Sequence, residues 1–180
     1  MSRVVQMVAK TLLPRKAVPG KSILEPSVTK LRVNVLDLDM LFHVNNGIYL
    51  QMADVARWDY LSDLDGMAKL RNKRWYPVVA AASVKYKRSM KLGEKITITT
   101  RVLGWDERCV YLEQVFTSQG GSLHATAWIA ARFLQVGGER VAMPDVLELL
   151  SDGPVPPSPD LPTEVANWAR AVDVAPRATE

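Results

Sequence analysis

The chain has 180 residues, of which 48% are hydrophobic and 23% are charged, a composition typical of a globular domain. Its net charge of +4 is too small to require a nucleic acid partner and suits an acidic small molecule or an anionic membrane surface equally. Cys109 is the only cysteine, which excludes an intrachain disulfide and fits the cytoplasmic location that we predict.

The N-terminal stretch, residues 1–26, is predicted to be an arm outside the main domain. Its first part, MSRVVQMVAKTLLPRK, has a short apolar run with basic flanks and no signal-peptide cleavage pattern. We interpret it as a frayed or docked amphipathic helix, with an interfacial membrane anchor as the alternative. No run in the sequence is long enough to span a bilayer.

A strand and a long helix follow the arm. Residues 29–35 alternate apolar and polar side chains, which predicts a strand with one buried face. After a loop from Asp37 to Asn46, a helix is predicted over 47–62. Its apolar residues cover more than a single stripe, and a helix of this kind is buried on most sides. We therefore expect it to lie inside a curved sheet.

The remaining strands are joined by short turns. Residues 63–74 are polar and basic and carry no predicted element. The run of Val and Ala over 77–86 predicts a central strand, and glycine-containing turns separate three further strands, over 95–103, 110–116 and 123–134. Short turns between consecutive strands indicate antiparallel neighbours.

The C-terminal part is predicted to be helical, then extended. Pro144 suits the first position of a helix over 145–150. Residues 153–162 hold five prolines and predict an extended arm, and residues 163–172 predict a short docked helix that contains Trp168. We expect the last residues to be disordered. The predicted boundaries are 1–26 for the N-terminal arm, 27–152 for the domain and 153–180 for the extension.

This order of elements predicts an α+β fold in which an antiparallel sheet wraps around one long central helix. An open sheet of this kind leaves its edge strands unpaired, and pairing between two copies would cover them. We therefore expect a homodimer.

The chemistry is predicted to lie where the loop meets the long helix. The stretch DLDMLFHVNNGIYLQMADVAR places carboxylates, a histidine and two asparagines just before the helix N-terminus, where free N–H groups and the helix dipole favour an anion or a polarised carbonyl. Asp39 should stay ionised there and could act as a nucleophile or general base, while backbone N–H groups around Asn45 to Gly47 polarise a carbonyl. The alternative is that Asp39 only caps the turn or the helix.

Other residues of this stretch are interpreted as structural, as chemical, or as either. Asp37 is expected to shape the turn. His43 could be a general acid or base, could bind an acyl carbonyl, or could fix the loop. Asn45 and Asn46 are good capping residues, and Tyr49 could line an acyl pocket or pack in the core. Asp54 has the spacing for an ion pair with Arg57 one turn later.

The pattern resembles the hot-dog thioesterases of the 4-hydroxybenzoyl-CoA thioesterase-like group, and within it the type of thioesterase superfamily member six. The resemblance is carried by Asp37-Leu38-Asp39, by His43-Val44-Asn45-Asn46 and by Tyr49. Further cues are Asp54 with Arg57, Arg88-Ser89, and Leu103-Gly104-Trp105-Asp106. It implies the hot-dog fold and hydrolysis of an acyl thioester, with the family's acidic residue at Asp39 and no metal or other cofactor. Some hot-dog thioesterases place the carboxylate on the central helix, which makes Asp54 the second candidate.

Two positions depart from the family pattern. Many members have a small residue, often Gly, where this chain has Phe42, and some have proline where it has Met40. Phe42 could reshape the approach to the helix N-terminus, which puts an aromatic acyl substrate in doubt. Among the basic residues, Arg88 is the candidate for the phosphates of coenzyme A, with a solvated charged face as the alternative.

We therefore predict an acyl-CoA thioesterase that acts as a homodimer, with tetramers possible, on a thioester of coenzyme A or acyl carrier protein. The alternatives are a non-catalytic acyl-binding or scaffolding protein with the same fold and, less strongly, a dehydratase or hydratase. The sequence has no phosphate-binding glycine loop, no zinc-ligand spacing and no aromatic platform for nucleic acid.

Overall fold

A computed structural model describes residues 2–175 of the chain. The helices are α1 (Arg3–Leu12), α2 (Asn46–Asp63), α3 (Gly66–Lys73), α4 (Met143–Leu150) and α5 (Thr163–Ala171). The strands are β1 (Ser27–Arg32), β2 (Trp75–Tyr86), β3 (Lys95–Trp105), β4 (Val110–Ser118), β5 (Leu123–Gln135) and β6 (Arg140–Val141).

The strands form one antiparallel sheet in the order β1-β3-β4-β5-β2, and the short β6 pairs with β5. Consecutive strands from β3 to β5 are joined by tight turns, so that neighbours in sequence are also neighbours in the sheet, as the turn residues predicted. The α+β class is confirmed.

Helix α2 fills the concave side of this sheet. Its side chains Met52, Ala53, Val55 and Ala56 have no exposed surface, and they belong to an element whose apolar residues point in most directions. Such a helix has to be surrounded, because burying only one stripe would leave apolar surface in water. The prediction of a long helix wrapped by a curved sheet is therefore confirmed, with the helix one residue longer at each end than expected.

The prediction of a central strand over 77–86 is wrong for the single chain, because β2 is an edge of the sheet. Among residues 2–175, β5 is the only strand that pairs with it, and the side chains of Tyr76 and Val79 are exposed. A nearly continuous apolar run is typical of strands that are covered on both faces, which is why the sequence indicated an interior position.

The first strand also ends earlier than predicted, at Arg32 rather than at residue 35. The Asn34 side chain accepts a hydrogen bond from the Leu36 N–H and begins a single turn of 3₁₀ helix, Val35–Asp37. A capping residue two positions after the strand thus ends the extended backbone. Helix α3 and strand β6 were not predicted, and α4 begins at Met143, one residue before the predicted Pro144.

The C-terminal extension crosses the outer face of the sheet. Ser158 Oγ accepts a hydrogen bond from the Trp105 N–H (2.8 Å) and donates one to the Trp105 carbonyl (2.9 Å). The predicted helix around Trp168 is confirmed as α5, and its Val165 and Ala169 pack on Tyr111 and Ala130 of the sheet. The last residues of the chain, which were predicted to be disordered, lie outside the described range. The predicted domain boundaries stay a prediction.

Candidate active site

The loop between the 3₁₀ turn and α2 folds back on itself as a tight hairpin. Leu38 and Val44 form an isolated antiparallel bridge. The Asp39 N–H donates to the His43 carbonyl at 2.8 Å, and the Asn45 N–H donates to the Asp37 carbonyl at 2.9 Å. These bonds hold Asp39 opposite His43, with the first residue of α2 directly after them.

The Asp39 side chain is half-buried and fixed by one of its two oxygens. Oδ1 accepts hydrogen bonds from the backbone N–H groups of Leu41 (2.9 Å) and His43 (3.3 Å). Oδ2 has no hydrogen-bond partner among residues 2–175. The capping role that the sequence left open is therefore performed by one oxygen, and the other is available for chemistry.

Phe42 lies at the tip of the hairpin in the left-handed region, with φ of 58°. Its side chain is 79% exposed, so it points away from the core. A Cβ is unfavourable at this φ, and glycine avoids the cost. The backbone thus gives a physical reason for the small residue that the family pattern has here.

Asp37 is a structural residue. It is 1% exposed and binds the buried Arg3 guanidinium with both carboxylate oxygens, at 2.9 Å for Oδ1 to Nε and 2.5 Å for Oδ2 to Nη2. Its Oδ2 also accepts the Asn34 N–H. With its charge paired and its lone pairs used, Asp37 holds the turn in place, as expected.

The start of α2 leaves one open donor. Asn45 is the N-cap, and its Oδ1 accepts the Gly47 N–H at 2.9 Å. The Asn45 N–H is itself bonded to Asp37, so of the three N–H groups predicted to polarise a carbonyl, only that of Asn46 has no partner within residues 2–175. The Tyr86 hydroxyl donates to the Asn46 carbonyl at 3.1 Å, which brings the end of β2 to this point.

His43 and Tyr49 differ in their surroundings. The His43 side chain is exposed, and its ring makes no hydrogen bond within the part of the chain that the structure describes. Tyr49 is 2% exposed and packs edge-on against Tyr86, with ring centroids 4.9 Å apart, and against Phe116. Burial raises the pKa of the Tyr49 hydroxyl. These contacts fit the packing alternative for Tyr49.

Asp54 and Arg57 form the ion pair that their spacing predicted. Arg57 also reaches from α2 to the sheet, where its Nη1 donates to Gln114 Oε1 at 2.6 Å. The fully buried Gln114 amide donates in turn to the Ala53 carbonyl and to Thr100 Oγ1. Burial lowers the pKa of the Arg57 guanidinium, and Asp54 opposes this effect. The Asp54 carboxylate is thus charge-compensated at one end of a helix-to-sheet network.

An apolar cavity of about 120 Å³ lies beside this ion pair, between α2, α4 and the sheet. Asp54 and Arg57 are its charged lining residues. Val79 of the edge strand both lines the cavity and is exposed, so the cavity reaches the β2 edge. An apolar space of about 150 Å³ accommodates one benzene ring, so a single chain can enclose only a short apolar segment here.

Arg88 lies two residues beyond Tyr86, on the exposed rim of a surface depression. The same depression is lined by Lys91, by three serines (Ser89, Ser118 and Ser122) and by the Glu94 carboxylate, which is bonded to His124. His124 Nδ1 donates to the Arg88 carbonyl, which fixes the backbone but leaves the guanidinium on the surface. Cationic and hydroxyl groups together are suited to phosphate oxygens.

Sequence reasoning missed the partners that fix this site, above all Arg3 for Asp37 and Gln114 for Arg57. The two pairs join residues 34 and 57 positions apart in the chain. No local spacing could indicate such contacts, and only the absence of acidic neighbours around Arg3 hinted at a distant partner. Within residues 2–175, no group of three or more His, Cys, Asp or Glu side chains could hold a metal ion.

Comparison with known proteins places these features in a family. The model of the thioesterase-like superfamily matches residues 33–168. Protein THEM6 of Danio rerio is 29% identical over 160 residues, which cover 89% of this chain and 77% of that protein. The long-chain acyl-CoA thioesterase FadM of Escherichia coli is 32% identical over 89 residues, which cover 49% of this chain and 67% of FadM.

A solved structure supports the same placement. The crystal structure of YbaW, a probable thioesterase from Escherichia coli, is 26% identical and superposes with a TM-score of 0.63. The match covers 70% of this chain and 99% of YbaW. The predicted hot-dog fold is confirmed by this likeness.

Proposed function

The chain belongs to the thioesterase-like superfamily, and we propose that it hydrolyses an acyl thioester. In this proposal Asp39 provides the catalytic carboxylate, and the Asn46 N–H is the donor that stabilises the oxyanion. The single observation that carries this proposal is that the hairpin holds an oriented carboxylate and leads directly into the start of α2, where one carboxylate oxygen and one N–H have no partner within residues 2–175.

Asp39 suits the role of nucleophile or general base because its orientation is fixed while half of its acceptor capacity is open. Two backbone N–H groups hold Oδ1. The N-terminal end of the 18-residue helix α2, where the helix dipole attracts negative charge, follows the hairpin directly. An ionised carboxylate can attack the thioester carbon or take a proton from water. His43, across the hairpin, is the candidate to donate a hydrogen bond to the acyl carbonyl or a proton to the leaving thiolate.

The Asn46 N–H is proposed to stabilise the negative charge that forms on the carbonyl oxygen. Negative charge develops on the carbonyl oxygen when the thioester carbon becomes tetrahedral, and a donor fixed in advance stabilises it without reorganisation. Phe42, Asn45, Gly47 and Tyr49 surround this point and are proposed to shape the acyl approach rather than to react.

Asp54 is the second candidate, and its contacts argue against it. Arg57 compensates its charge directly and binds its Oδ1, so this carboxylate is already engaged in a structural contact. Because Asp54 lines the apolar cavity, it is the alternative catalytic carboxylate.

Coenzyme A is the carrier that the surface favours. The apolar cavity can take part of an acyl chain, and Arg88 with Lys91 can meet phosphate oxygens on the same side as the end of β2. An acyl carrier protein would present one phosphodiester and a protein surface in place of the nucleotide. We therefore propose that Arg88 binds the phosphates of coenzyme A.

The proposal also includes a homodimer joined through β2. This strand has 12 residues, is paired on one side only, and exposes Tyr76 and Val79. A long apolar edge strand is a template for pairing with another strand. Pairing two copies there would also extend the apolar cavity at Val79 and make room for a longer acyl chain. Whether dimers pair further into tetramers stays a prediction.

Steady-state hydrolysis of acyl-CoAs of increasing chain length tests the proposal. Turnover should be measurable, and Asp39→Ala should abolish it on the best substrate. Asp145→Ala, on the exposed first turn of α4, is the control for a carboxylate loss outside the site. Calorimetric binding of acyl-CoA without turnover at any chain length would instead favour a non-catalytic acyl-binding protein, and hydration of an enoyl-CoA would favour a hydratase.

A further inference from the structure

Helix α1 is docked on the domain by its polar side chains. The Arg3 side chain is fully buried against Asp37, and it donates a further hydrogen bond to the Arg32 carbonyl at 2.8 Å. Two turns later, Lys10 Nζ lies 2.6 Å from Oδ1 of the buried Asp59. The two ion pairs fix the orientation of α1 along α2 and β1.

The apolar side chains of α1 point the other way. Val4, Val5, Val8, Leu12 and the following Leu13, here called the α1 outer face, are all exposed, with 54% for Val8 and 72% for Leu12. A helix on the surface of a globular protein normally buries its apolar stripe and exposes its charges. Here the arrangement is inverted, which the stability of the domain alone does not explain.

The exposed apolar surface continues in the loop that Arg3 holds. Val35 and Leu36 lie in the 3₁₀ turn that contains Asp37, and Met40, Leu41 and Phe42 form the hairpin tip. Together, the α1 outer face and this loop hold half of the exposed large apolar side chains in residues 2–175. A concentration of this kind marks an interaction surface rather than scattered exposure.

The solvent-accessible charges around this apolar surface are mostly positive, the exceptions being Asp39 at the base of the hairpin and Asp65, which lines a depression beside Leu12 together with Arg71 and Arg74. Residues 2–24 contain no acidic side chain, and Lys16, just after the helix, is exposed. Lys30 and Arg32 are exposed on the adjoining β1. A second copy that met this face symmetrically would bring like charges together, which is unfavourable. An anionic lipid surface complements both the apolar face and its cationic rim.

We propose that the α1 outer face and the hairpin tip form the surface by which the protein lies on an anionic lipid membrane. No helix in the described part of the chain has the length and apolar character to cross a bilayer. In this proposal the binding is of the interfacial kind, with α1 parallel to the membrane plane and its valines and leucines among the acyl chains.

Co-sedimentation with vesicles tests this surface. The full chain should bind vesicles of phosphatidylcholine mixed with phosphatidylserine, and bind vesicles of phosphatidylcholine alone more weakly. The double variant Val4→Gln/Val8→Gln should lower the partition coefficient roughly tenfold to a hundredfold, since two aliphatic side chains leave the interface. Glutamine forms helix better than valine, so α1 should persist, which circular dichroism checks.

The matched control is Val155→Gln/Val172→Gln, which replaces two exposed valines of the C-terminal extension, outside the α1 outer face and the hairpin tip, and should leave the partition coefficient unchanged. An environment-sensitive dye at Val5→Cys should shift to the blue on binding, and the native Cys109 is buried and will not compete for the label. The proposal is overturned if the wild-type chain does not bind the mixed vesicles, or if the Val4/Val8 variant binds like wild type. It is also overturned if the dye shifts only with protein concentration, which would indicate a second copy on this face.

Discussion

At the scale of single residues, the open N–H of Asn46 can be removed without harm to the helix. Asn46 is the first residue of α2, where proline is favoured because its missing N–H has no intrahelical partner. The preceding Asn45 has ψ of 137°, which suits a residue before proline. Asn46→Pro should therefore lower kcat by roughly 10²–10³, as loss of one oxyanion donor does elsewhere.

Asn46→Ala is the control for that substitution, because it removes the side chain and keeps the N–H. It should retain most of the turnover. Equal losses in both variants would mean that the Asn46 side chain acts in place of its backbone. Normal turnover in Asn46→Pro would exclude the oxyanion role altogether.

Phe42 allows a separate test of the hairpin backbone. A residue with a Cβ pays about 1–2 kcal/mol in the left-handed region, and glycine avoids this cost but loses about 0.5–1 kcal/mol in unfolded-state entropy. Because the ring is exposed, its removal costs little. Phe42→Gly should be about 1 kcal/mol more stable than Phe42→Ala in denaturant unfolding. Equal stability of the two variants would show that the tip does not hold this conformation in solution.

At the scale of elements, the periodicity of apolar residues predicted a strand or a helix correctly wherever burial alone decides the structure. The alternation in β3 and the broad apolar surface of α2 both gave the right element, because the core selects those side chains. Helix α3 was missed since half of its eight residues are polar, it begins with a glycine, and its N-cap, Asp65, makes no side-chain capping bond. The edge position of β2 was missed because the sequence of a strand does not say whether its second neighbour is in the same chain.

The orientation of α1, with its apolar face outward, could not be predicted from the sequence either. The amphipathic pattern was visible, but which face docks depends on Asp37 and Asp59, whose positions come from other elements. In the same way, the sequence placed Asp39 and the asparagines before the helix but could not say which N–H groups remain open. That answer depends on the hairpin bonds to Asp37 and Asn45.

The C-terminal extension depends on a glycine in β3. A Cβ at Gly104 would lie 2.7 Å from the Pro159 carbonyl oxygen and 3.0 Å from Leu161, so the arm fits only on a bare backbone. Gly104→Ala should displace the arm and cost about 1–3 kcal/mol, as overpacking usually does. Thermal unfolding measures the loss, and the fluorescence of Trp168, whose ring centroid is 6.2 Å from that of Trp128, reports the displacement.

Gly120→Ala is the matched control, since a Cβ there meets nothing closer than 3.8 Å. Its melting temperature should stay close to that of wild type. An unchanged Gly104→Ala variant would mean that the arm does not rest on β3.

At the scale of the whole molecule, the two edges of the sheet can be compared directly. Val79 on β2 and Val28 on β1 are 47% and 46% exposed, and both lie on strands paired on one side only. If copies pair through β2, Val79→Lys should raise the dimer dissociation constant at least tenfold, because it brings like charges into an apolar interface. Val28→Lys should leave it unchanged.

Sedimentation velocity of the 20.0 kDa chain over a range of concentrations distinguishes these cases. A wild-type chain that stays monomeric, or a dimer disrupted by Val28→Lys and not by Val79→Lys, would contradict pairing through β2. The dimer also bears on catalysis, because the apolar cavity reaches the same edge at Val79.

The assignment of the catalytic carboxylate is tested most directly by kcat for Asp39→Asn and Asp54→Asn on the best acyl-CoA. Asparagine keeps the size and can keep the backbone hydrogen bonds, so the change isolates the charge. Asp39→Asn should lower kcat by roughly 10²–10⁴, the usual range for a general base, whereas Asp54→Asn should change it less than tenfold. A large loss in Asp54→Asn together with near-normal turnover in Asp39→Asn would contradict this account and move the chemistry to α2.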